Sequence, residues 1–301
     1  VGDVQSGKTA NYLGLINMAY DYGYRIVVLL AGTTNSLREQ TQKRTDSGVI
    51  GAKSDSIGNT IEFLGVGLNT NEHFAVPFTN QVNDFKKFVQ KNLNVAIADI
   101  NKPVVLVVKK IKSVLESVAE RLQSELSEKG LDCRSILIID DEADNASITT
   151  SKDPEKPTTI NRCIRDIFNK FPIASYVGYT ATPFANIFID PESDDATRDL
   201  FPKDFLTVLP TPELYIGADK IFGNGDADDW DKDNQPQNRT EGLYFSSIIP
   251  IENDEQASFF YFKHKKELAD ELFDLPESLR KAIRYFVLAT GISDLRHDNN
   301  E

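Results

Sequence analysis

The sequence has few residues of the kinds that cross-link a chain or bind zinc. Its 301 residues include two cysteines, Cys133 and Cys163, and three histidines. Two cysteines are too few for a disulfide framework, which favours buried reduced thiols and a cytoplasmic location. The scattered histidines show no ligand spacing with one another or with cysteine. We therefore expect neither a disulfide scaffold nor a zinc site.

Long apolar runs are also missing. No run approaches the roughly 18 residues that span a bilayer, so we expect no membrane partner. The sequence has no internal repeat either. Only Val1 precedes the first motif, which suggests that the beginning of the first domain is missing from this chain.

Negative charge is concentrated in one stretch. The chain has a net charge of −13, and residues 190–256 hold 17 acidic against 5 basic side chains, a net charge of −12. The remainder is nearly neutral, so the overall acidity does not exclude a nucleic-acid partner. Basic residues cluster at 38–44, 86–91 and 109–112. Each cluster could also be an ordinary solvated helix face.

A phosphate-binding motif lies at the amino-terminal end. Gly2 to Thr9 read G-D-V-Q-S-G-K-T, which has the spacing of a P-loop. The backbone N–H groups of such a loop curl around phosphate oxygens at a helix N-terminus. Lys8 would reach the β- and γ-phosphates, and Thr9 would hold magnesium. Taken alone, the pattern also fits a glycine-containing turn before a helix.

Apolar runs that predict strands alternate with segments of helical periodicity. The strand candidates are 25–31, 103–108, 135–140 and 175–180, and the helix candidates are 10–20, 36–44, 82–92, 111–129, 160–169 and 275–295. This alternation predicts an α/β fold, a mainly parallel sheet flanked by helices. Ligands of such sheets bind at the carboxyl ends of the strands, where the P-loop would lie.

The composition of the sequence changes near residue 191, where proline, aspartate and asparagine become frequent. We predict a nucleotide-binding α/β domain over 1–190 and an acidic, irregular connector over 191–272, with a mobile loop near 223–240. The loop prediction rests on many turn-forming residues and a single aromatic residue. The last segment, 273–301, is predicted to hold a helix that leads into an absent second domain.

Two further motifs follow the P-loop. Ile136 to Asp144 read I-L-I-I-D-D-E-A-D, an apolar strand that ends in carboxylates. Asp141 would position magnesium and Glu142 would polarise the attacking water. Gly178 to Pro183 read G-Y-T-A-T-P, one strand-helix unit further on. Separately, the first could be an acidic helix start and the second a capped turn.

In this order the motifs resemble those of the first RecA-like domain of superfamily 2 helicases and translocases. More narrowly, the sequence is similar to the Z1 domain family, described as endonuclease or helicase-like components of bacterial restriction and defence clusters. The resemblance spans most of residues 2–222. It rests on the segments QSGKTANY, LAGTTNSLREQT, IIDDEADNAS and GYTATPFANIF.

The resemblance implies ATP and Mg²⁺ as cofactors and DNA as a partner, alongside restriction or defence subunits. Lys8 and Glu142 would be catalytic, and Thr9 and Asp141 would hold the metal. The phosphates would be bound by Gly2, Gln5, Ser6, Gly7, Lys8 and Thr9. Coupling to a neighbouring domain would use Asp144, Thr180 and Thr182. Non-specific contacts to the DNA backbone would come from Thr33, Thr34, Arg38, Lys109 and Lys110.

Two features of the resembling proteins are missing from the sequence. An arginine finger would come from the absent second domain, so we expect this chain to bind nucleotide and to hydrolyse it weakly. The sequence also has no convincing metal-dependent nuclease core, because Glu128-Lys129 lies at a polar helix end and Lys109 lacks a carboxylate two residues before it. An endonuclease activity rests on the resemblance alone.

Two hypotheses about function stay open. The first is an ATP-dependent, helicase-like DNA translocase, or the motor part of an endonuclease. The second is a nucleotide-gated switch or assembly protein that binds a protein partner without translocating. A small-molecule kinase is disfavoured because the acidic and Thr-Ala-Thr-Pro motifs have no role there. An α/β domain that binds no nucleotide is disfavoured by three motifs in order.

Overall fold

The structure is a computed structural model. It describes residues 1–3, 7–58, 60–85, 97–129, 135–145, 147, 158–183, 200, 203–217, 220–221, 223 and 276–298. The chain divides into two compact units, Val1–Tyr215 and Ile216–Glu301. The predicted boundary at 190/191 falls inside the first unit.

The first unit is built on a five-stranded parallel sheet. In chain order its strands are β1 (Ile26–Ala31), β2 (Val76–Pro77), β3 (Val104–Lys109), β4 (Ile136–Asp141) and β5 (Ala174–Tyr179). Their spatial order is β2-β3-β1-β4-β5. In the register of the central strand, Ile26 lies beside Val104 on one side and Ile136 on the other. The predicted α/β class with a parallel sheet is confirmed.

Both faces of the sheet are covered, which explains why its three central strands are almost continuously apolar. Every residue of β1 is buried, as are five of the six residues in β3 and in β4. Alternate side chains enter separate hydrophobic clusters on the two faces, as Val28 and Val27 do. The edge strand β5 is more open, and only Tyr179 in it is buried.

In the described part of the first unit, four helices surround the sheet: α1 (Lys8–Asp21), α2 (Asn35–Thr45), α3 (Lys112–Lys129) and α4 (Thr159–Phe168). Tyr12 and Ile16 of α1 pack on one face, and Leu115 of α3 and Ile164 of α4 pack on the other. Helix α2 begins at the side-chain cap Thr34 and continues into a π-helical turn, Asp46–Ile50.

The predicted strands and helices differ from the observed ones by a few residues at each end. The exceptions are short pieces that carry no periodicity, namely β2 and the 3₁₀ turns Gly65–Gly67 and Ile97–Asp99. Residues 86–92 of the helix predicted at 82–92 lie outside the described residues, as do 224–240 of the predicted loop.

The described part of the second unit consists mainly of α5 (Glu277–Asp298), which corresponds to the helix predicted at 275–295. Along it, several large apolar side chains are exposed, among them Phe286 and Leu295. Across the described parts of both units, no helix combines the length and the apolar composition that a bilayer crossing requires.

Candidate nucleotide site

Helix α1 begins directly after a glycine with a left-handed backbone. Gly7 has a φ of +96°, and Lys8 is the first helical residue. Among the described residues, no atom lies within 4 Å of a Cβ placed on Gly7, so backbone conformation and not crowding favours glycine here. Gly7, the N-cap residue, has no side chain that could cap this end of the helix. The start of α1 is therefore of the kind that can bind an anion through backbone N–H groups.

The side chain of Lys8 folds back over the segment that precedes the helix. Lys8 is 7% exposed, and its Nζ donates to the carbonyl oxygens of Gly2 and Asp3 at 3.0 and 3.2 Å. The Gly2 N–H donates to the Thr180 carbonyl oxygen, just beyond β5, at 3.0 Å. These bonds bring Gly2, Lys8 and Thr180 together at the carboxyl edge of the sheet. Gln5 and Ser6 lie outside the described residues.

The carboxylate of Asp141, at the end of β4, lies beside α1. The Tyr12 hydroxyl, one turn beyond Lys8, donates to Asp141 Oδ2 at 3.4 Å. Burial raises the pKa of Asp141, and the negative charge of Glu142 raises it further. The Tyr12 hydrogen bond and the positive charges of Lys110 and Lys8 act in the opposite direction. Because Tyr12 of α1 contacts Asp141, helix α1 and the acidic motif share one end of the sheet.

The oxygen donors at this edge suit magnesium. Thr9 offers a hydroxyl and Asp141 a carboxylate, both hard oxygen ligands. Across the described ranges, no group of three or more His, Cys, Asp or Glu side chains could hold a metal ion. Magnesium at phosphate sites takes one or two protein oxygens and completes its shell with phosphate and water. The donor set thus fits magnesium held together with a nucleotide and not a self-contained metal centre.

The turn after β4 has an uncommon backbone. Glu142 has a φ of +58°, one of two positive values at non-glycine residues in the described part of the chain. Left-handed conformations are costly for such a residue unless the surroundings impose them. Here the side chain of Glu142 is exposed, while its backbone carbonyl accepts a hydrogen bond from a buried ammonium group.

That ammonium group belongs to Lys110, the residue after β3. Its Nζ donates to the carbonyl oxygens of Asp141, Glu142 and Asn145 at 2.9, 2.6 and 2.9 Å. Three carbonyl acceptors match the three hydrogens of an ammonium group. The Asp140 carboxylate lies 3.1 Å from Nζ and balances its charge, and both side chains are fully buried. Lys110 therefore fixes the acidic turn to the neighbouring strand.

A tyrosine on β5 completes this buried arrangement. The Tyr176 hydroxyl donates to Asp140 Oδ2 at 2.7 Å. Asp140 Oδ1 accepts no hydrogen bond from the residues that the structure describes, and its interaction with Lys110 is electrostatic. The two consecutive aspartates thus point to opposite sides of β4, and Asp140 serves the fold while Asp141 faces the candidate site.

Asp144 joins the acidic turn to the segment after β5. Its two carboxylate oxygens accept hydrogen bonds from Thr180 Oγ1, at 2.7 Å, and from Thr182 Oγ1. Burial acts to raise the pKa of Asp144, but the hydrogen bonds from Thr182 and Thr180, a backbone hydrogen bond and the charge of Lys110 together lower it. A side chain at Gly178 would meet Ala143 Cβ at 2.9 Å, so the close approach of β5 to this turn requires glycine. All three predicted coupling residues therefore lie in direct contact.

The residues predicted to bind a nucleic-acid backbone do not form one exposed basic surface. Arg38 is 3% exposed and donates to the carbonyl oxygens of Asn80 and Gln81 at 2.7 and 2.6 Å. Lys110 is buried as described above. Contact with a nucleic-acid backbone would require exposed side chains, whereas the charges of Arg38 and Lys110 are used inside the protein.

The remaining predicted contacts lie near the start of α2. Lys109 donates to Asn35 Oδ1 at 2.7 Å and lies 3.5 Å from Asp84 Oδ2, with 17% of its side chain exposed. Thr33 is exposed, and the Thr34 hydroxyl accepts from the Leu37 N–H as a helix cap. This edge is polar, but its one predicted cation is already paired.

Sequence reasoning missed several residues of the site. Tyr12 lies four residues after Lys8 and therefore on the same face of α1, a signal that the helical period alone could have given. On the same helix Asn11 accepts a hydrogen bond from the Tyr179 hydroxyl at 2.7 Å, which ties α1 to β5. Arg44, whose guanidinium donates to Thr9, has no local signal, because the contact joins two different helices, α2 and α1.

The fold and the site together define a parallel α/β domain with a polar constellation at the carboxyl edge of its sheet. Comparison with known proteins gave neither a matching family model nor a significant match to a curated protein.

Proposed function

We propose that this chain is a magnesium-dependent ATPase of the P-loop type. The observation that carries the proposal is the meeting of α1 with the end of β4, where Lys8 and Tyr12 reach the environment of Asp141. A cation at a glycine-led helix start, at the same edge of a parallel sheet as a half-buried carboxylate, is an arrangement suited to a nucleoside triphosphate.

Each residue has a chemical task in this proposal. The phosphates would be bound by the backbone of Gly2, Gln5, Ser6 and Gly7 together with Lys8. Lys8 would exchange its two carbonyl acceptors for phosphate oxygens, which are stronger acceptors because they are charged. Thr9 and Asp141 would hold Mg²⁺, which neutralises charge on the phosphates.

Hydrolysis would depend on Glu142. Its exposed carboxylate is next to Asp141 and can accept a proton from the attacking water, while Lys110 keeps its backbone in place. Asp144 would then transmit the state of the site to Thr180 and Thr182 through two hydrogen bonds. A change at the acidic turn would in this way move the segment after β5.

The leading form of the proposal is a cytoplasmic, helicase-like DNA translocase, or the motor part of an endonuclease in a restriction or defence system. Support comes from the order of the three motifs and from the contact between Asp144 and the two threonines. The alternative, a nucleotide-gated switch that binds a protein partner, is favoured by a different observation. Arg38 and Lys110 are buried and Lys109 is paired with Asp84, which leaves little free positive charge for DNA.

Hydrolysis of ATP by the whole chain tests the enzymatic part. We expect slow magnesium-dependent turnover that Glu142→Gln lowers by about 10² or more, since a general base contributes on that order. The exposed Glu39→Gln serves as the control and should leave turnover unchanged. Equal turnover in the wild type and Glu142→Gln would remove Glu142 from the mechanism.

Duplex DNA distinguishes the two forms. A translocase should hydrolyse ATP faster when DNA is added, and Lys109→Ala should weaken DNA binding and its salt dependence. Lys112→Ala, at an exposed position near the start of α3, is the control for a general loss of charge. A switch should respond to neither DNA nor Lys109→Ala. Absence of any stimulation by nucleic acid removes the motor form and leaves the ATPase proposal standing.

A further inference from the structure

Arg44 lies in the last turn of α2, where its guanidinium reaches the start of α1. Its Nη1 donates to Thr9 Oγ1 at 3.0 Å, and the side chain is exposed. Thr9 is the second residue of α1 and is half-buried. A cation from a different helix therefore contacts the hydroxyl group that the proposed function assigns to magnesium.

The neighbouring basic residue makes a useful contrast. Lys43 forms an ion pair with Glu39 on its own helix at 2.8 Å. Among the described residues, no ion pair joins Arg44 to a carboxylate. The charge of Lys43 is thus balanced within α2, whereas the charge of Arg44 is held at the predicted phosphate-binding end of α1.

The backbone beneath Arg44 is firmly fixed. Two residues further on, the buried Asp46 accepts hydrogen bonds from Gln42 Nε2 at 2.9 Å, from the Ser54 N–H at 3.1 Å and from Gln81 Nε2 at 3.0 Å. These bonds hold the end of α2 against two loops. The guanidinium can therefore change partner by rotating its own side chain while the helix stays in place.

Loading of the site would force such a change of partner. A guanidinium donating to an oxygen that also binds a divalent cation places two positive centres a few ångströms apart, and the two charges repel each other. An anionic phosphate group next to the same oxygen offers the guanidinium a better acceptor. Arginine suits this task because its planar fork can donate two parallel hydrogen bonds to phosphate oxygens.

We propose that Arg44 is a phosphate-contacting cation of the nucleotide site, supplied by the same chain, which releases Thr9 when magnesium binds and pairs with the terminal phosphate of a nucleoside triphosphate. The inference rests on the proposed function and deepens it. If Arg44 of α2 contacts the terminal phosphate, the site should bind a nucleoside triphosphate more tightly than a diphosphate. No covalent step is involved.

Nucleotide titrations of the full chain test this assignment. Affinities for ATP and ADP in the presence of Mg²⁺ would be compared in the wild type, Arg44→Ala, Arg44→Lys and the control Lys43→Ala. A hydrogen bond to a charged group is worth about 1.5–3 kcal/mol, so Arg44→Ala should lower ATP affinity by about tenfold or more. ADP affinity should change by less than about threefold, Arg44→Lys should recover part of the loss, and Lys43→Ala should match the wild type.

The outcomes separate this inference from the proposed function. If the wild type binds ATP and Arg44→Ala binds it equally well, the role of Arg44 is refuted while the nucleotide site survives. Equal losses for ATP and ADP, or the same loss in Lys43→Ala, also overturn the assignment, because neither is specific to the terminal phosphate. If the wild type binds no nucleotide, the proposed function and this inference fall together. Urea unfolding of each variant verifies that the exposed substitutions leave the fold intact.

Discussion

At the residue scale, two adjacent lysines differ completely in role. Lys109 is the last residue of β3, keeps part of its side chain exposed and reaches Asn35 at the start of α2. Lys110 turns inward and donates to three carbonyl oxygens of the acidic turn. The sequence presents them as one basic pair, yet alternation along a strand places consecutive side chains on opposite sides. Which of the two is buried depends on β4, far away in sequence.

The burial of Lys110 leads to a stability prediction. Lys110→Met leaves the Asp140 carboxylate buried without its charge partner, which typically costs about 3–5 kcal/mol of unfolding free energy. Lys112→Met removes an exposed partner of Glu116 and should change stability by less than about 0.5 kcal/mol. Urea unfolding of both variants checks this. Similar small effects would mean that the Lys110 and Asp140 side chains are hydrated and not held as an internal pair.

Asp141 leads to a pH prediction. Burial, followed by the charge of Glu142, raises its pKa in the folded state, so the folded protein holds the proton more tightly than the unfolded chain does. The charged carboxylate therefore destabilises the fold above the raised pKa, and this penalty disappears as the pH falls through it toward the ordinary aspartate value. Asp141→Asn should be more stable than the wild type at neutral pH.

The measurement is the unfolding free energy of Asp141→Asn and the wild type from neutral pH downwards. The advantage of the variant should shrink as the pH falls, while the exposed Asp204→Asn should differ little from the wild type at any pH. A variant that is less stable than the wild type at neutral pH contradicts the sign of the shift. The expected gain in stability would come with weaker magnesium binding, because the amide lacks the charge of the carboxylate.

At the scale of elements, the sequence predicted the strands and helices that have a regular apolar pattern and missed short elements and individual side-chain contacts. The central strands follow from apolar runs, because they are buried on both faces. The helices α1 to α4 follow from helical periodicity, because each buries one face. Strand β2 has two residues, one of them Pro77, and carries no such period. The meeting of α1 with β4 followed from the motifs, whereas the contacts of Arg44 and Arg38 depend on how α2 packs.

The contact between the acidic turn and β5 supports a prediction about coupling. Replacing both threonines, Thr180→Val and Thr182→Val, removes the two donors to Asp144 while it keeps the shape of the side chains. We expect ATP affinity to change little and turnover to fall by about tenfold or more, because small displacements of a catalytic group reduce rates strongly. The exposed Thr70→Val is the control. Unchanged turnover in the double variant would mean that these bonds do not position Glu142.

At the scale of the whole molecule, local charge matters more than the net charge. The chain is strongly acidic, with most of the excess in residues 190–256. The candidate site nevertheless gathers Lys8, Arg44 and Lys110 around one edge of the sheet. A triphosphate would thus meet two of these cations, Lys8 and Arg44, in an acidic protein, while Lys110 stays buried beside Asp140. The sum of charges in the sequence gives no indication of this arrangement, which arises only when distant segments fold together.

The most direct test of the central claim is calorimetric titration of the full chain with ATP, in Mg²⁺ and in a chelator. The claim is that Lys8 and Asp141 serve one nucleotide and its metal ion. We predict saturable binding with one site that is stronger in Mg²⁺, a large loss of affinity in Lys8→Ala, and affinity in Asp141→Asn that no longer depends on Mg²⁺. Binding by Lys8→Ala equal to that of the wild type, together with an unchanged effect of Mg²⁺ in Asp141→Asn, would contradict it.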